Sequence, residues 1–313
     1  MKMINKNSKI YIAGHKGMVG SSVLRLLKNK SYKNILTRTR KQLNLINQKQ
    51  TYKFLKKFKP DVVIIAAAKV GGIKANNQFR ADFLYENLQI QNNLIHGSFL
   101  AGIKKLVFLG SSCIYPKNSP QPIKEDYLLL SPLEYTNEPY AIAKIAGLKL
   151  CENYNKQYDT KYISLMPCNL YGLNDNYDSE NSHFLPALIK KIHEAKIKNK
   201  KNVLIWGDGK PKRELMYVDD LSNAILYFLN KNIKKSIINI GSNEEYTISK
   251  FAKLISKEIG YKGGFRFDSS KPNGTMRKIL DSSYANKLGW FPKIKFDDGI
   301  KKIYKDYISR YSI

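Results

Sequence analysis

Short apolar runs alternate with longer stretches of helical periodicity from residue 9 onward. Lys9 to Ala13 reads as a strand, and Val23, Leu24, Leu26 and Leu27 as the buried stripe of a helix. The rhythm repeats with a strand at Asn34 to Thr37, a helix around Gln48 to Phe58, a buried strand run from Val62 to Ala68 and one long helix from Asn76 to Ala101. Strands at Lys105 to Leu109 and Tyr162 to Met166 flank a helix opened by Pro139, since proline suits a first helical turn. Further on come a helix from Phe184 to Ile197, a short strand at Val203 to Ile205, a turn at Trp206 to Gly209, the run Met216 to Asp219 and a helix from Asp220 to Leu229. A strand at Ile237 to Ile240 and a helix at Ile248 to Ile259 follow. This alternation predicts an α/β protein built on a doubly wound parallel sheet, with a smaller mixed α/β substrate domain towards the C-terminus.

The first strand runs into Gly14-His15-Lys16-Gly17-Met18-Val19-Gly20 and then into helix. Glycines at this spacing allow a tight turn, close approach to a pyrophosphate and packing of helix on strand, with the helix N-terminus facing the anion. The strand-turn-helix setting marks a Rossmann-type dinucleotide site. The second strand leads into Arg38-Thr39-Arg40, where an NAD site usually carries an acid for the ribose. Arginine there suits the 2′-phosphate of NADP, and Lys16 adds a second cation, so NADP(H) is the expected cofactor. The expected division is 1–171 for the nucleotide-binding domain, with 212–240 returning to it, and 172–211 plus 241–313 for the substrate domain.

Tyr140 and Lys144, four residues apart, share one helical face. A cation beside a phenol favours phenolate and draws its pKa down from about 10, which makes the pair a candidate for proton transfer to a sugar-like oxygen. Taken alone, the spacing also fits an amphipathic helix with Tyr140 inward and Lys144 outward. Its place downstream of the glycine loop, and of Ser111, Ser112 and Cys113 at a strand's carboxyl end, favours chemistry.

Composition changes this picture little. The chain has 313 residues and a formal charge of +29, with lysines spread along the sequence and no dense basic arm. Such lysines read as solvated surface that also attracts phosphorylated substrates, so nucleic-acid binding is not the expected main role. No apolar run reaches the length of about 18 residues needed for a membrane span, and the polar start of the chain carries no signal-peptide core. Three cysteines without C-x-x-C spacing suggest neither disulfides nor a zinc site, and His15, His96 and His193 show no metal spacing. A soluble protein of the reducing cytoplasm is the expectation.

As a set, these motifs resemble the extended short-chain dehydrogenase/reductase family. The strings Ala13 to Gly20, Ala66-Ala67-Ala68-Lys69-Val70-Gly71-Gly72, Gly110-Ser111-Ser112-Cys113-Ile114-Tyr115-Pro116 and Asn137-Glu138-Pro139-Tyr140-Ala141-Ile142-Ala143-Lys144 are most similar to its bifunctional branch. That branch epimerises GDP-4-keto-6-deoxy-D-mannose at C3 and C5 and reduces C4 with NADPH. The resemblance implies a reductase triad of Ser111, Tyr140 and Lys144, with Cys113 as base and His183 as acid in epimerisation. It places cofactor contacts at Gly14, His15, Lys16, Gly17, Met18, Val19, Gly20, Arg40, Leu43, Asn44, Leu45, Leu109, Gly110, Ser111, Ser112, Tyr140, Lys144, Pro167, Cys168, Asn169, Leu170 and His183. GDP-sugar contacts fall on Lys191, Trp206, Arg213 and Asn273, and a homodimer is implied. Lys16 and Lys191 stand where the branch carries arginine, and Asn273 where it carries aspartate. An NAD-retaining sugar-nucleotide 4-epimerase or 4,6-dehydratase shares the glycine loop and the Tyr/Lys pair; Cys113 and the missing ribose acid separate the two readings.

Overall fold

The computed structural model describes residues 3–177, 183–271 and 273–311. In chain order it runs β1 (Lys9–Ala13), α1 (Met18–Asn29), β2 (Asn34–Thr37), α2 (Gln48–Phe58), β3 (Val62–Ile65), α3 (Ile73–Gln78), α4 (Arg80–Leu100) and β4 (Lys105–Leu109). After short 3-10 turns come α5 (Glu138–Tyr158), β5 (Lys161–Pro167), β6 (Asn169–Tyr171), α6 (Phe184–Ile197), β7 (Asn202–Trp206), β8 (Lys212–Tyr217), α7 (Val218–Leu229) and β9 (Ile237–Ile240). The last elements are β10 (Glu245–Thr247), α8 (Ile248–Ile259), β11 (Gly264–Asp268), β12 (Arg277–Lys278), α9 (Ser283–Lys287) and α10 (Phe296–Tyr311).

Six strands form a parallel sheet in the order β2-β1-β3-β4-β5-β9. Helices cover both of its faces, which is why β3 is buried throughout and β4 in all but its first residue. The order reverses between β1 and β3, and the strands' carboxyl ends there carry the glycine loop and residues 66–72. Around β8 a second sheet gathers β10 antiparallel and β6 and β12 parallel, while β7 pairs with β11. Two apolar clusters result. One packs under the six-stranded sheet and includes Leu280, Ala285 and Trp290; the other joins α6, α8 and α10 through residues such as Ile189, Phe251 and Ile303.

Several boundaries differ from the sequence pattern. The expected run Val62 to Ala68 leaves the sheet after Ile65, and its alanines pass close under Gly14. The expected helix Asn76 to Ala101 is instead two helices, α3 starting earlier at Ile73, and they divide at Phe79, whose backbone leaves helical geometry. The run Met216 to Asp219 is divided: Met216 and Tyr217 end a strand that starts at Lys212, and the helix expected from Asp220 starts at Val218. The strand's first half, Lys212-Arg213-Glu214, is polar, so apolar alternation does not reveal it.

Glu214 is the reason that polar stretch is ordered. Its carboxylate is buried and accepts hydrogen bonds from the backbone N–H of Asn243 at 3.0 Å and of Leu280 at 2.9 Å, tying β8 to the turn after β9 and to the chain after β12. Burial pushes its pKa up to about 7. The folded state therefore holds this proton where the unfolded chain has lost it. The resulting stability is complete below about pH 4.5 and disappears as pH rises through about 7, by up to about 3 kcal/mol. Thermal unfolding of wild type should show this fall, and Glu214→Gln should flatten it; equal slopes in the two proteins would exclude the assignment.

Candidate active site

The carboxyl ends of β1, β3, β4 and β5 converge on the expected cofactor residues. Gly14 has φ +84°, and a Cβ there would meet the Ala67 backbone at 2.7 Å; a Cβ on Gly20 would meet the Gly14 carbonyl at 2.2 Å. The turn thus depends on glycine at both positions. Gly17 caps α1 with no side-chain hydrogen bond, and the first turn has no acid, so the helix N-terminus keeps its positive end for an anion. His15 holds a buried Nδ1 that lacks a partner among the described residues. Burial and the Lys16 charge lower its pKa.

Beyond β2 the two arginines behave differently. Arg38 is held, its Nη1 donating to the Thr37 carbonyl at 2.7 Å and its guanidinium lying over Phe54 and Phe58. Arg40 is 76% exposed and, among the described residues, pairs with Glu86 at 3.6 Å. Leu43 is buried and Leu45 packs against the same core, so these two can offer a ligand backbone more readily than side chain. Asn44 caps its own turn by accepting from the Ile46 N–H at 3.2 Å. Gly110 donates to the Leu165 carbonyl at 2.9 Å, Ser112 and Leu109 are buried, and Pro167 ends β5. Cys168 is buried, its N–H bonded to the Ile240 carbonyl at 3.0 Å, while Asn169 and Leu170 continue into β6.

Ser111, Cys113, Tyr140 and Lys144 lie together. The Ser111 hydroxyl accepts from the Cys113 N–H at 3.2 Å, in the 3-10 turn that follows β4. Lys144 is only 3% exposed; its Nζ donates to the Leu109 carbonyl at 2.8 Å and lies over the rings of Phe108 and Tyr140, at 4.9 and 5.7 Å. Burial draws its pKa down to about 8. The Tyr140 phenol moves in the other direction. Burial raises it above the usual phenol value, the neighbouring Cys113 adds to the rise, and the Ser111 hydroxyl brings it partly back. The lowering expected from Lys144 is therefore not seen: burial sets the direction of the shift and favours the protonated phenol.

His183 is the N-cap of α6; residues 178–182, immediately before it, lie outside the described residues. Its ring is open to solvent yet surrounded by enough protein that desolvation lowers its pKa. Two turns along α6, the Lys191 Nζ stands 5.6 Å from the Trp206 ring, and Lys271 approaches the same ring at 6.0 Å. Trp206 ends β7 and is 64% exposed, so it is not a core indole. Asn273 accepts from the Asp208 N–H at 2.8 Å through its side chain, a turn-holding role in this structure. Arg213 on β8 donates to the Thr275 carbonyl at 2.6 Å and is half-buried, which lowers its pKa.

Thr275 and Lys278 also line a hollow of about 50 Å³ beside Cys113, together with Gln121, Glu134 and Asn137. The segment 273–278 thus joins the Trp206 and Arg213 group to the Cys113 end of the site. Sequence reasoning missed this link, and Lys278, Lys271 and Glu214 with it. Each is a charged residue in a lysine-rich chain, with no spacing to single it out.

Known proteins resemble this chain in sequence and in fold. The family described as NAD dependent epimerase/dehydratase matches residues 10–241. Putative GDP-L-fucose synthase 2 of Arabidopsis thaliana is 50% identical over 98% of this chain and 93% of its own length. GDP-L-fucose synthase of Sinorhizobium fredii is 50% identical over 96% of both chains. Among solved structures, a GDP-6-OMe-4-keto-L-xylo-heptose reductase from Campylobacter jejuni superposes with a TM-score of 0.92, at 39% identity, covering 99% of this chain and 100% of its own. A GDP-L-fucose synthetase from Naegleria fowleri bound to NADP gives 0.91 at 27% identity, covering 99% and 95%. With the family match spanning most of its length and relatives half identical to it nearly end to end, the chain belongs to the NAD dependent epimerase/dehydratase family, the extended short-chain dehydrogenase/reductases, alongside the GDP-L-fucose synthases.

Proposed function

We propose that this protein converts GDP-4-keto-6-deoxy-D-mannose to GDP-L-fucose, inverting C3 and C5 and reducing the C4 ketone with NADPH. The observation that carries the reading is the position of Cys113, next to both the Ser111 and Tyr140 pair and the segment leading to Arg213. A reductase needs only the first neighbourhood; an epimerase of a diphosphate sugar needs a proton acceptor between the two.

The residues present fit the cofactor. The unshielded N-terminus of α1, the His15 Nδ1 and the buried Lys144 ammonium, which among the described residues have no partner and no carboxylate partner respectively, and the exposed Arg40 together suit a dinucleotide carrying a 2′-phosphate. Bound NADPH supplies the hydride for C4. Lys144 would hold the ribose hydroxyls, and Lys16 and Arg40 the added phosphate.

The C4 ketone acidifies the hydrogens on C3 and C5. Cys113 as thiolate takes one of these protons, leaving an enolate whose oxygen is hydrogen-bonded by Ser111 and Tyr140. His183 as imidazolium returns a proton on the opposite face. After both inversions the same C4 oxygen becomes the alkoxide of the reduction, and Tyr140 gives it the phenolic proton. A phenol held protonated by burial is the form this step requires. Lys191, Trp206, Arg213 and Asn273 would take the GDP portion, with Arg213 meeting the diphosphate. Exposed Tyr85 on α4 and Ile142 on α5 support the homodimer implied by the resemblance, and the free thiols fit a cytoplasmic setting.

The heptose reductase relative makes a seven-carbon keto-sugar the second substrate reading. Adding GDP-4-keto-6-deoxy-D-mannose to the purified protein should consume NADPH in preference to NADH and yield GDP-L-fucose. NADPH consumption without inversion, or none at all, would displace the proposal.

Three variants separate the roles. Tyr140→Phe should lose about 10²-fold or more in NADPH oxidation while keeping solvent deuterium exchange at C3 and C5, followed by NMR. Cys113→Ser should lose that exchange at both carbons and still bind NADPH. Arg40→Ala should reduce the NADPH over NADH preference about tenfold in kcat/KM, and an unchanged ratio would remove Arg40 from phosphate recognition.

A further inference from the structure

We propose that Lys278 is a positioning residue for the epimerisation chemistry, its ammonium serving as the fixed counter-charge that favours the Cys113 thiolate. The inference rests on the assignment of Cys113 as base but is testable without it.

The geometry begins with strand alternation. β12 is only Arg277 and Lys278, paired with Lys212 and Arg213 of β8. Successive side chains of a strand point to opposite faces. Arg277 goes to one face and meets Glu245, at 2.8 to 3.0 Å. Lys278 goes to the other, where its Nζ donates to the Cys113 Sγ at 3.6 Å. Among the described residues no carboxylate pairs with Lys278, so the sulfur is its polar partner.

The backbone on either side is clamped. The Lys212 N–H donates to the Met276 carbonyl at 2.8 Å, the Ile279 N–H to the Gln121 side chain at 2.9 Å and the Leu280 N–H to Glu214 at 2.9 Å. The Ile123 N–H donates to the Ile279 carbonyl at 2.8 Å. The Cys113 side is held by its own bond to Ser111. These bonds hold the backbone of Lys278 and of Cys113 in place, so the lysine side chain starts from a fixed point beside the sulfur.

A thiolate is the reactive form of cysteine, and an adjacent cation favours it. Among the described residues, the other charged or titratable groups around the hollow are Tyr140 from α5, whose phenol burial holds up, Tyr115, whose hydroxyl donates to Asn239 at 2.6 Å, and Glu134 and Lys117 across it. Glu134 is engaged by the Thr136 hydroxyl at 2.5 Å and the Asn137 N–H at 3.2 Å. On its far side Lys278 acts electrostatically on Cys168, whose thiol burial holds up and whose other neighbour is Glu214. Lys278 is thus the cation in contact with the proposed base.

The test is the rate of iodoacetamide alkylation of Cys113, followed by peptide mass spectrometry in the full-length protein without substrate, across a pH series. Buried Cys151 and Cys168 serve as internal controls for folding. Lys278→Met should slow Cys113 labelling about tenfold near pH 7 and converge on wild type above about pH 10, where the thiol ionises unaided. Lys278→Arg, which keeps the charge, should stay within about twofold of wild type. Labelling of Lys278→Met at the wild-type rate at every pH would overturn the proposal. So would a deficit that persists at high pH or is equal in the arginine variant, since either points to altered access instead of charge. Because no turnover is measured, failure of the fucose-forming reaction and failure of this inference register separately.

Discussion

One buried ammonium constrains the centre of this protein. Lys144 emerges from α5 into the space at the end of β4, where the Leu109 carbonyl and the face of Phe108 are its neighbours. A lysine so desolvated resists its charge, which is why its pKa falls towards 8, yet at neutral pH most of the charge remains. Among the described residues the Leu109 carbonyl takes one of its three protons, which leaves the others for ligand oxygens. The same desolvation decides the state of Tyr140, whose proton is held more tightly than in water. A buried cation with protons to spare and a phenol held protonated are the groups that the proposed reading asks to bind sugar hydroxyls and to protonate the C4 oxygen.

The two ends of the site are coupled through the strand that crosses between the sheets. β8 carries Arg213 and Glu214 and continues directly into α7, which packs on the glycine-loop helix α1. There the Ser22 hydroxyl donates to Asp219 at 2.5 Å, the Ser222 hydroxyl to Ser22 at 2.6 Å, and Arg25 pairs with Asp219 at 3.0 Å. The anion-facing helix and the strand beside the Trp206 group are therefore parts of one hydrogen-bonded unit. Displacing β8 would disturb both.

How much of this was legible in the sequence depended on what the physics writes there. The central strands are buried on both faces, so apolar runs such as Leu106-Val107-Phe108-Leu109 announce them, and the glycine turn is visible because Gly14 and Gly20 have no substitutes in that backbone. Tyr140 and Lys144 were visible through helical spacing, but the direction of the tyrosine shift was not, since burial is a property of the fold and not of the pair. The start of β8 was hidden for the opposite reason: Glu214 is ordered by backbone donors from distant segments. Helix α10 did leave a signal, Ile300, Ile303 and Tyr307 at helical spacing, that the sequence reading passed over. Lys278 left none, because its partner is 165 positions away.

Inversion at carbon and reduction of an adjacent ketone place contrary demands on proton-handling groups, and this site meets them by separating environments. Reduction ends on an oxygen that must receive a proton, which suits a phenol raised by burial. Proton abstraction requires a group that is ionised before the substrate is, which suits a thiol lying against an ammonium at 3.6 Å. Reprotonation requires a charged acid, and here desolvation works against His183 in the free protein. The nucleoside diphosphate and the enolate bring negative charge with them, and that charge favours imidazolium at the stage when it is needed. On the proposed assignment, the acid is completed by the substrate, while the base and the proton donor for C4 depend on groups the protein's own packing brings beside them.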